Sequence, residues 1–246
     1  MASVSTSQIV TVSGLIGSGK TTVCKELAKL TGWRVVSAGT ILRQMADARG
    51  IDLHKLNEIA KSDASIDKQI DDQLIALGNS LDPLIVDSRL AWHFIPRSYK
   101  IHLVVDKAIA AERVFSADRK DEQYATAEEA YTANTRRQAM ENDRFQHYYG
   151  IDCEDWRSYD FVLDSSTLMP DKLGQLMQEA VGANGAKKCM LAPNALHGAD
   201  ALSDGQVEVD VVGSEIRLLS GRSRVESAVR TGEPLIDCLL RNYIPA

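Results

Sequence analysis

The feature that most constrains the fold is a glycine-rich segment near the start of the chain. Residues 14–21 read Gly-Leu-Ile-Gly-Ser-Gly-Lys-Thr, which satisfies the phosphate-loop pattern G-x-x-x-x-G-K-[ST]. A β-branched run at 9–13 precedes this segment, and an amphipathic helical pattern at 21–30 follows it. Because strand, loop and helix occur in the required order, the sequence predicts an α/β fold with the loop at the end of a buried strand.

The same loop predicts how a nucleotide is held. Its glycines let main-chain N–H groups turn towards a β-phosphate, and the helix behind it presents its N-terminus to the anion. Lys20 would reach the β- and γ-phosphate oxygens, and Thr21 would ligate Mg²⁺. The sequence therefore predicts ATP and Mg²⁺ as cofactors, bound by Gly14, Gly17, Ser18, Gly19, Lys20, Thr21 and Thr22.

Short strand-like runs alternate with longer helical patterns through residues 1–182, which we interpret as one kinase domain. The predicted strands are 9–13, 33–37, 84–87, 101–105 and 161–164. Helical stretches at 40–48, 53–60 and 66–77 form one insertion, and those at 107–117 and 126–149 flank a polar break that suggests a lid. We expect a five-stranded parallel sheet with crossover helices and two helical insertions, one for the acceptor and one for the lid.

Residues 183–246 differ in character from the rest of the chain. The stretch 182–205 is rich in Gly, Ala, Asn and Asp without periodicity, which favours a linker. Strands at 207–212, 216–219 and 235–240 and a helix at 222–230 then predict a small α+β C-terminal extension. The turn from Gly221 to Arg224 is similar to the phosphate-binding glycine-x-x-arginine element of the partition-protein/sulfiredoxin superfamily, although an extension that only packs on the kinase or on a second subunit remains an alternative.

Composition narrows the classes of partner. The net charge of −6 provides no broad basic field for nucleic acid, and the four cysteines show no metal-ligand spacing. No run of about 18 apolar residues occurs that would span a membrane. We expect a cytoplasmic protein whose partner is a small-molecule phosphate acceptor, with no nucleic acid and no membrane, and with homo-oligomerisation through the extension left open.

Charged residues outside the loop indicate the rest of the site. Asp87 ends the apolar run 84–86 and would serve Mg²⁺ through water, with Arg89 two residues further on. Arg137, Glu141 and Arg144 follow each other at i, i+4 and i+7 on the last long helix. Such a stripe is either a solvated, salt-bridged face or a clamp on transferring phosphoryl groups, and its position in a lid favours the clamp.

Taken together, these residues resemble the archaeal-type cytidylate kinase family over about residues 9–181. The resemblance is carried by the phosphate loop, by residues 37–43, by Ile66 and Asp67 with Asp71, by residues 89–92, by the Arg137/Arg144 pair and by residues 149–152. It implies a P-loop nucleoside monophosphate kinase-like fold. Ser88 and a one-residue shortening between Ala91 and Trp92 depart from the family pattern.

The resemblance also implies roles for individual residues. Ser37 and Arg43 would contact the acceptor nucleotide, and Arg89 its phosphate. Arg137 and Arg144 would contact the phosphates being transferred, and Arg119 would lie by the ATP adenine. Lys20, Arg89, Arg137 and Arg144 are thus the catalytic candidates, and Asp67, Asp71 and Glu141 complete the substrate-binding set.

The sequence therefore predicts ATP- and Mg²⁺-dependent phosphorylation of a nucleoside monophosphate, with CMP, dCMP or a related pyrimidine nucleotide favoured. The chemistry needs no general base, because the acceptor phosphate is already an anionic nucleophile. One alternative is a P-loop kinase of another small phosphorylated or hydroxylated metabolite, in which Asp87 or Asp67 would act as base. Another is a nucleotide-dependent switch or binding module.

Overall fold

The structure is a computed structural model, and it describes residues 9–51, 55–56, 59, 63–116, 124–183, 187–198, 201–212 and 215–241. Its strands are β1 (Ile9–Gly14), β2 (Arg34–Ser37), β3 (Leu84–Asp87), β4 (Tyr99–Val104), β5 (Phe161–Asp164), β6 (Lys188–Leu191), β7 (Glu208–Val212), β8 (Glu215–Ser220), β9 (Ile236–Asp237) and β10 (Leu239–Leu240). Its helices are α1 (Lys20–Thr31), α2 (Ala38–Ala48), α3 (Ala64–Leu77), α4 (Ala91–Phe94), α5 (Lys107–Phe115), α6 (Ala127–Tyr149), α7 (Pro170–Gly182) and α8 (Arg222–Thr231). The predicted helix at 53–60 and the polar break of the lid lie largely outside the described residues.

The central sheet has the order β2-β3-β1-β4-β5-β6-β9. Strands β2 to β6 and β1 pair in parallel, and β9 pairs antiparallel with β6. The five predicted strands are all present, which confirms the α/β fold. Because parallel strands end at a common edge of the sheet, Gly14, Ser37, Asp87 and Asp164 all lie at that edge.

The expected number of strands and the expected linker both need correction. Residues 188–191 form β6 and extend the parallel sheet, although they fall inside the stretch that the sequence predicts to be a linker. Cys189 and Leu191 of this strand are buried on the sheet, whereas Lys188 and Met190 are less so. A strand of four residues gives too short a pattern of alternating polar and apolar residues to be predicted within an aperiodic stretch. The division of the chain after residue 182 stays a prediction.

The two faces of the sheet are covered by different parts of the chain. On one face, α1 and α7 bury a core that includes Val12, Leu27 and Leu173. On the other face, one continuous cluster joins Trp92 and Phe145 of the kinase part to extension residues such as Leu191, Leu218 and Val225. Each fully buried side chain of this size contributes about 1.5–3 kcal/mol. The extension is therefore packed into the same hydrophobic core as the kinase part.

Hydrogen bonds also join the extension to the end of β5. The main-chain N–H of Ala192 donates to Asp164 Oδ2 at 3.2 Å, and Thr167 Oγ1 donates to the carbonyl of Pro234 at 2.9 Å. A second sheet, of order β10-β7-β8, lies beyond this junction. These bonds fix the extension at the edge of the sheet where the phosphate loop lies.

In the turn at 221–224, which the sequence compares with a phosphate-binding element, hydrogen-bond donors already have partners within the protein. Arg222 N donates to Leu202 O at 3.2 Å, and Ser223 N donates to Ser203 O at 3.0 Å. The guanidinium of Arg224 makes two hydrogen bonds to the Glu233 carboxylate. The turn therefore binds other parts of the extension, which favours the packing alternative over an anion site.

The long lid helix α6 begins as the sequence indicates. Thr126 Oγ1 accepts a hydrogen bond from Glu129 N at 3.1 Å, and Glu129 Oε2 accepts one from Ala125 N at 2.8 Å. The first bond is that of a capping box, whereas the second reaches the residue before the N-cap; together they fix the first turn of the helix. Among the described residues, no helix has the length and apolar character needed to cross a bilayer. All four cysteines are buried free thiols.

Candidate active site

The phosphate loop has a backbone that only glycine adopts without strain at two positions. Gly17 has φ of 81°, and a Cβ built there would lie 2.6 Å from the carbonyl oxygen of Ala110. Gly19 has φ of 74° and caps α1 in the left-handed conformation. Side chains at either position would be strained, and at Gly17 they would also push α5 away. The loop and the N-terminus of α1 are thus fixed before any ligand binds.

Three predicted residues meet inside the loop. Thr21 Oγ1 donates to Asp87 Oδ2 at 2.6 Å, and Lys20 Nζ lies 3.6 Å from Asp87 Oδ1. Asp87 is only 6% exposed, since it ends the buried strand β3 beside β1. A hydroxyl and a carboxylate side by side are hard oxygen donors of the kind that Mg²⁺ prefers. The residues present therefore fit the predicted metal.

An arginine that the sequence reasoning missed links the phosphate loop to the end of β5. Arg113 Nη2 donates to Ser165 O at 2.8 Å, and its Nη1 lies 3.5 Å from Gly17 O. Burial lowers the pKa of this guanidinium, and Asp164 acts in the opposite direction. The available signal was its place in the last turn of α5, just before the lid break. The predicted adenine contact Arg119 lies outside the described residues, and Thr22 is exposed on α1.

On the acceptor side, Arg89 and Arg137 share one carboxylate. Glu141 forms an ion pair with Arg89 through one oxygen and accepts from Arg137 Nε at 2.9 Å through the other. The Arg89 side chain is 20% exposed, and desolvation lowers the pKa of its guanidinium more than Glu141 raises it. A half-buried cation at the sheet edge thus meets an anion from the lid helix.

Arg144 is oriented differently from the other members of its stripe. Its guanidinium carbon lies 5.3 Å from the centroid of the Phe145 ring, in cation–π geometry. Among the described contacts it forms no ion pair with Glu141. The structure therefore brings together Arg89, Glu141 and Arg137 and leaves Arg144 at the side of this cluster.

The remaining acceptor-side candidates lie on α2 and α3. Ser37 Oγ caps α2 by accepting from Thr40 N at 3.0 Å, and Arg43 Nη2 lies 3.4 Å from Thr40 Oγ1. Asp71 accepts a hydrogen bond from Tyr149 Oη at 2.8 Å, and its pKa is raised, chiefly by burial. This bond ties α3 to the end of the lid helix. Asp67 lies one turn earlier on α3.

A buried polar cluster supports the main chain of Arg89 from below. Ser13 Oγ donates to Arg89 O at 3.3 Å, and Tyr159 Oη donates to Cys153 O at 2.8 Å. His102 stacks on Tyr159 with ring centroids 4.5 Å apart. Burial, together with the charges of Lys20 and Arg89, lowers the pKa of His102 to about 3, so the ring is neutral. The main chain of Arg89 is therefore supported by buried side chains, one of which is a neutral histidine.

The strand-end loop that departs from the family pattern is well ordered by its serine. Ser88 is 6% exposed, its N–H donates to Val12 O at 3.2 Å, and its Oγ accepts from Leu90 N at 3.3 Å. The hydroxyl thus stabilises the turn that leads from β3 into α4. Arg89 projects from this turn.

Comparison with known protein families agrees with this geometry. The cytidylate kinase-like family matches residues 9–167. A cytidylate kinase of Natronomonas pharaonis is 36% identical over 177 residues, which cover 71% of this chain and 90% of that protein. A cytidylate kinase of Pyrococcus furiosus is 35% identical over 187 residues, which cover 73% of this chain and 94% of that protein.

Solved structures show the same architecture at low sequence identity. The shikimate kinase of Bacteroides thetaiotaomicron has a TM-score of 0.53 and 15% identity, and the match covers 71% of this chain and 98% of that one. An uncharacterised protein of Eubacterium ventriosum has a TM-score of 0.55 and 17% identity, with 71% and 98% covered. Both likenesses concern the fold alone.

Proposed function

This chain belongs to the cytidylate kinase-like family and is a nucleoside monophosphate kinase, and from that premise we propose that it transfers the γ-phosphoryl group of ATP, with Mg²⁺, to CMP, dCMP or a related pyrimidine nucleotide. The observation that carries this proposal is the cluster of Arg89, Glu141 and Arg137, which forms just beyond the end of the strand that carries Asp87. A desolvated arginine that is paired with a lid carboxylate in the free protein is suited to exchange that carboxylate for the phosphate of an acceptor.

Each group of the site has a role in this transfer. Main-chain N–H groups of the loop and Lys20 hold the β- and γ-phosphates, while Arg89 orients the acceptor phosphate. Arg137 and Arg144 on the lid helix offset charge on the phosphoryl group, and each well-placed donor contributes on the order of 3 kcal/mol. Ser37 and Arg43 bind the acceptor nucleotide on α2, and Asp67 and Asp71 on α3 complete its pocket.

Thr21 and Asp87 would hold Mg²⁺, whose charge would offset that of the phosphate oxygens. The same contacts bear on the alternative of a hydroxyl acceptor. That reaction needs a carboxylate free to take a proton. Of the two candidate bases, Asp87 and Asp67, the contacts disfavour Asp87, which already accepts from Thr21 and lies 3.6 Å from Lys20 Nζ. The oxygen of an acceptor phosphate needs no such base, which supports a monophosphate substrate.

The test is an ADP-release assay with ATP and Mg²⁺ against a panel of acceptors. The panel contains CMP, dCMP, UMP, AMP, GMP and shikimate, each at several concentrations. We expect the highest kcat/KM for CMP or dCMP. ADP release that is independent of any monophosphate, or that is fastest with a purine nucleotide, contradicts the proposal.

A further inference from the structure

A cavity of about 1730 Å³ lies between the lid helix, the ends of β4 and β5, and the extension. Leu15 and Ile16 of the phosphate loop form part of its wall, whereas Lys20, Thr21 and Asp87 do not line it. The ends of β4 and β5 form another part, and extension residues such as His197 and Leu218 form a third. The family match ends at residue 167, so the wall that the extension supplies has no counterpart in the matched kinase core.

The lid helix turns a row of carboxamides towards this cavity. Asn134, Gln138 and Asn142 lie at i, i+4 and i+8 of α6, and all three line the cavity. Arg137 and Glu141 follow a neighbouring stripe that leads to Arg89. One helix therefore presents charged residues to the acceptor side and uncharged amides to the cavity.

The innermost amide has an unused donor. Asn134 is 9% exposed, and within the described part of the chain its Nδ2 group has no hydrogen-bond partner. Gln138 Nε2 and Asn142 Nδ2, in contrast, both donate to Glu154 Oε1 at 2.5 Å. Leaving a buried N–H group unpaired costs roughly 1–3 kcal/mol. Buried polar groups of native proteins rarely lack a partner, so Asn134 Nδ2 is a donor available to a ligand that enters the cavity.

The charges around the cavity favour an uncharged ligand. Arg217 pairs with Glu215 and Arg241 with Glu208, each at 3.6 Å, so part of the positive charge is already offset. The charged described residues that line the cavity are Asp106, Glu154, Asp164 and Glu215 on the acidic side and Lys107, Arg217 and Arg241 on the basic side. A phosphorylated ligand would meet no excess of positive charge here.

We propose that this cavity binds an unphosphorylated nucleoside or nucleobase, with its base edge against the carboxamide of Asn134. A carboxamide offers a donor and an acceptor side by side, which complements the edge of a planar base. Trp156 and Tyr131 also line the cavity and provide aromatic surface for stacking. Asn134 Nδ2 donates to a carbonyl or ring nitrogen of the base.

The test is calorimetric titration of the full-length chain with cytidine, uridine, adenosine and guanosine. The donor and acceptor sites are first filled with a bisubstrate analogue that joins adenosine and cytidine through a polyphosphate. We expect at least one nucleoside to bind with one site per chain. Replacement of Asn134 by Leu should weaken that binding by about tenfold, or 1.4 kcal/mol.

Two further variants make the result specific. Asn134→Asp keeps the shape of the side chain and removes the donor, so it reports on the hydrogen bond if the leucine variant folds poorly. Gln146→Leu changes an exposed carboxamide of the same helix and should leave binding unchanged. The inference is overturned if no nucleoside binds the blocked protein, if the analogue displaces the nucleoside, or if both Asn134 variants bind as well as the parent chain.

Discussion

The donor and acceptor halves of the active site are held in place by different physical means. On the donor side, the positive-φ glycines Gly17 and Gly19 and the short bonds of Asp87 fix the loop through its backbone and its immediate neighbours. On the proposed acceptor side, Arg89 and Arg137 both pair with Glu141 of the lid helix. The proposed donor half is therefore formed in the free protein, whereas in the proposed acceptor half a protein carboxylate occupies Arg89 and Arg137.

The two halves differ in the free energy that binding requires. A preformed loop binds phosphate without reorganisation, because its donors already point at the anion. An ion pair that must open before the acceptor binds reduces apparent affinity, yet it keeps a desolvated arginine from remaining unpaired in the free enzyme. We therefore expect substitutions in the donor half to affect turnover and those in the acceptor half to affect chiefly the acceptor.

The largest effect should come from Lys20→Ala. The substitution removes the oriented charge on the transferred phosphoryl group, and we expect turnover to fall by at least about a hundredfold. Circular dichroism should show an intact fold. Lys29→Ala, at an exposed lysine of the same helix, serves as the control. Near-normal turnover of the Lys20 variant would rule out the donor half as described here.

Arg89→Ala should produce the next largest effect, confined to the acceptor. Loss of a charged hydrogen bond costs about 1.5–3 kcal/mol, which corresponds to roughly a 10- to 150-fold rise in acceptor KM. The KM for ATP should stay within a factor of about two. Arg157→Ala removes an exposed arginine paired with Asp155 and should change neither constant. A loss of ATP affinity with normal acceptor affinity would reverse the assignment of the two halves.

The buried histidine His102 should make the free energy of unfolding depend on pH. Burial depresses the pKa of His102 from 6.5 to about 3. Between pH 6.5 and 3, His102 is therefore protonated in the unfolded chain and neutral in the folded chain. The free energy of unfolding should therefore fall as the pH drops below 6.5, by up to about 1.4 kcal/mol per pH unit for one proton. Denaturant titrations between pH 7 and 5 measure this slope. His102→Leu should make it shallower, and an unchanged slope would show that the proton belongs to other groups.

The smallest effect, and the one that probes the ion pair directly, is expected for Glu141→Gln. Without the carboxylate the acceptor phosphate has no competitor for Arg89. The pair is partly exposed, and such pairs contribute up to about 1 kcal/mol, so acceptor KM should fall by about fivefold. Glu128→Gln, in the first turn of the same helix, is the control. A rise in acceptor KM would mean that Glu141 supports the substrate instead of competing with it.

Much of the donor half could be predicted from the sequence, because its geometry is encoded in contiguous residues. A strand, three glycines, Lys20 and Thr21 follow one another within residues 9–21. The parallel pairing of β1 with β3 then brings Asp87 beside them. The capping box at Thr126 is local in the same sense. Arg113 was missed because its place in the last turn of an amphipathic helix does not show that the end of β5 lies against it.

The tertiary structure alone decided the contacts between residues that are far apart in the chain. The ion pair of Arg89 with Glu141 depends on where the lid helix crosses the edge of the sheet. The i, i+4 spacing of Arg137 and Glu141 predicts only that these two residues can pair, and it does not show that Glu141 also reaches Arg89. The same holds for β6, whose four residues form a strand because β5 offers them an open edge and the core buries Cys189 and Leu191. Local sequence fixes backbone conformation over a few residues, whereas the pairing of distant strands and charges depends on which surfaces packing brings together.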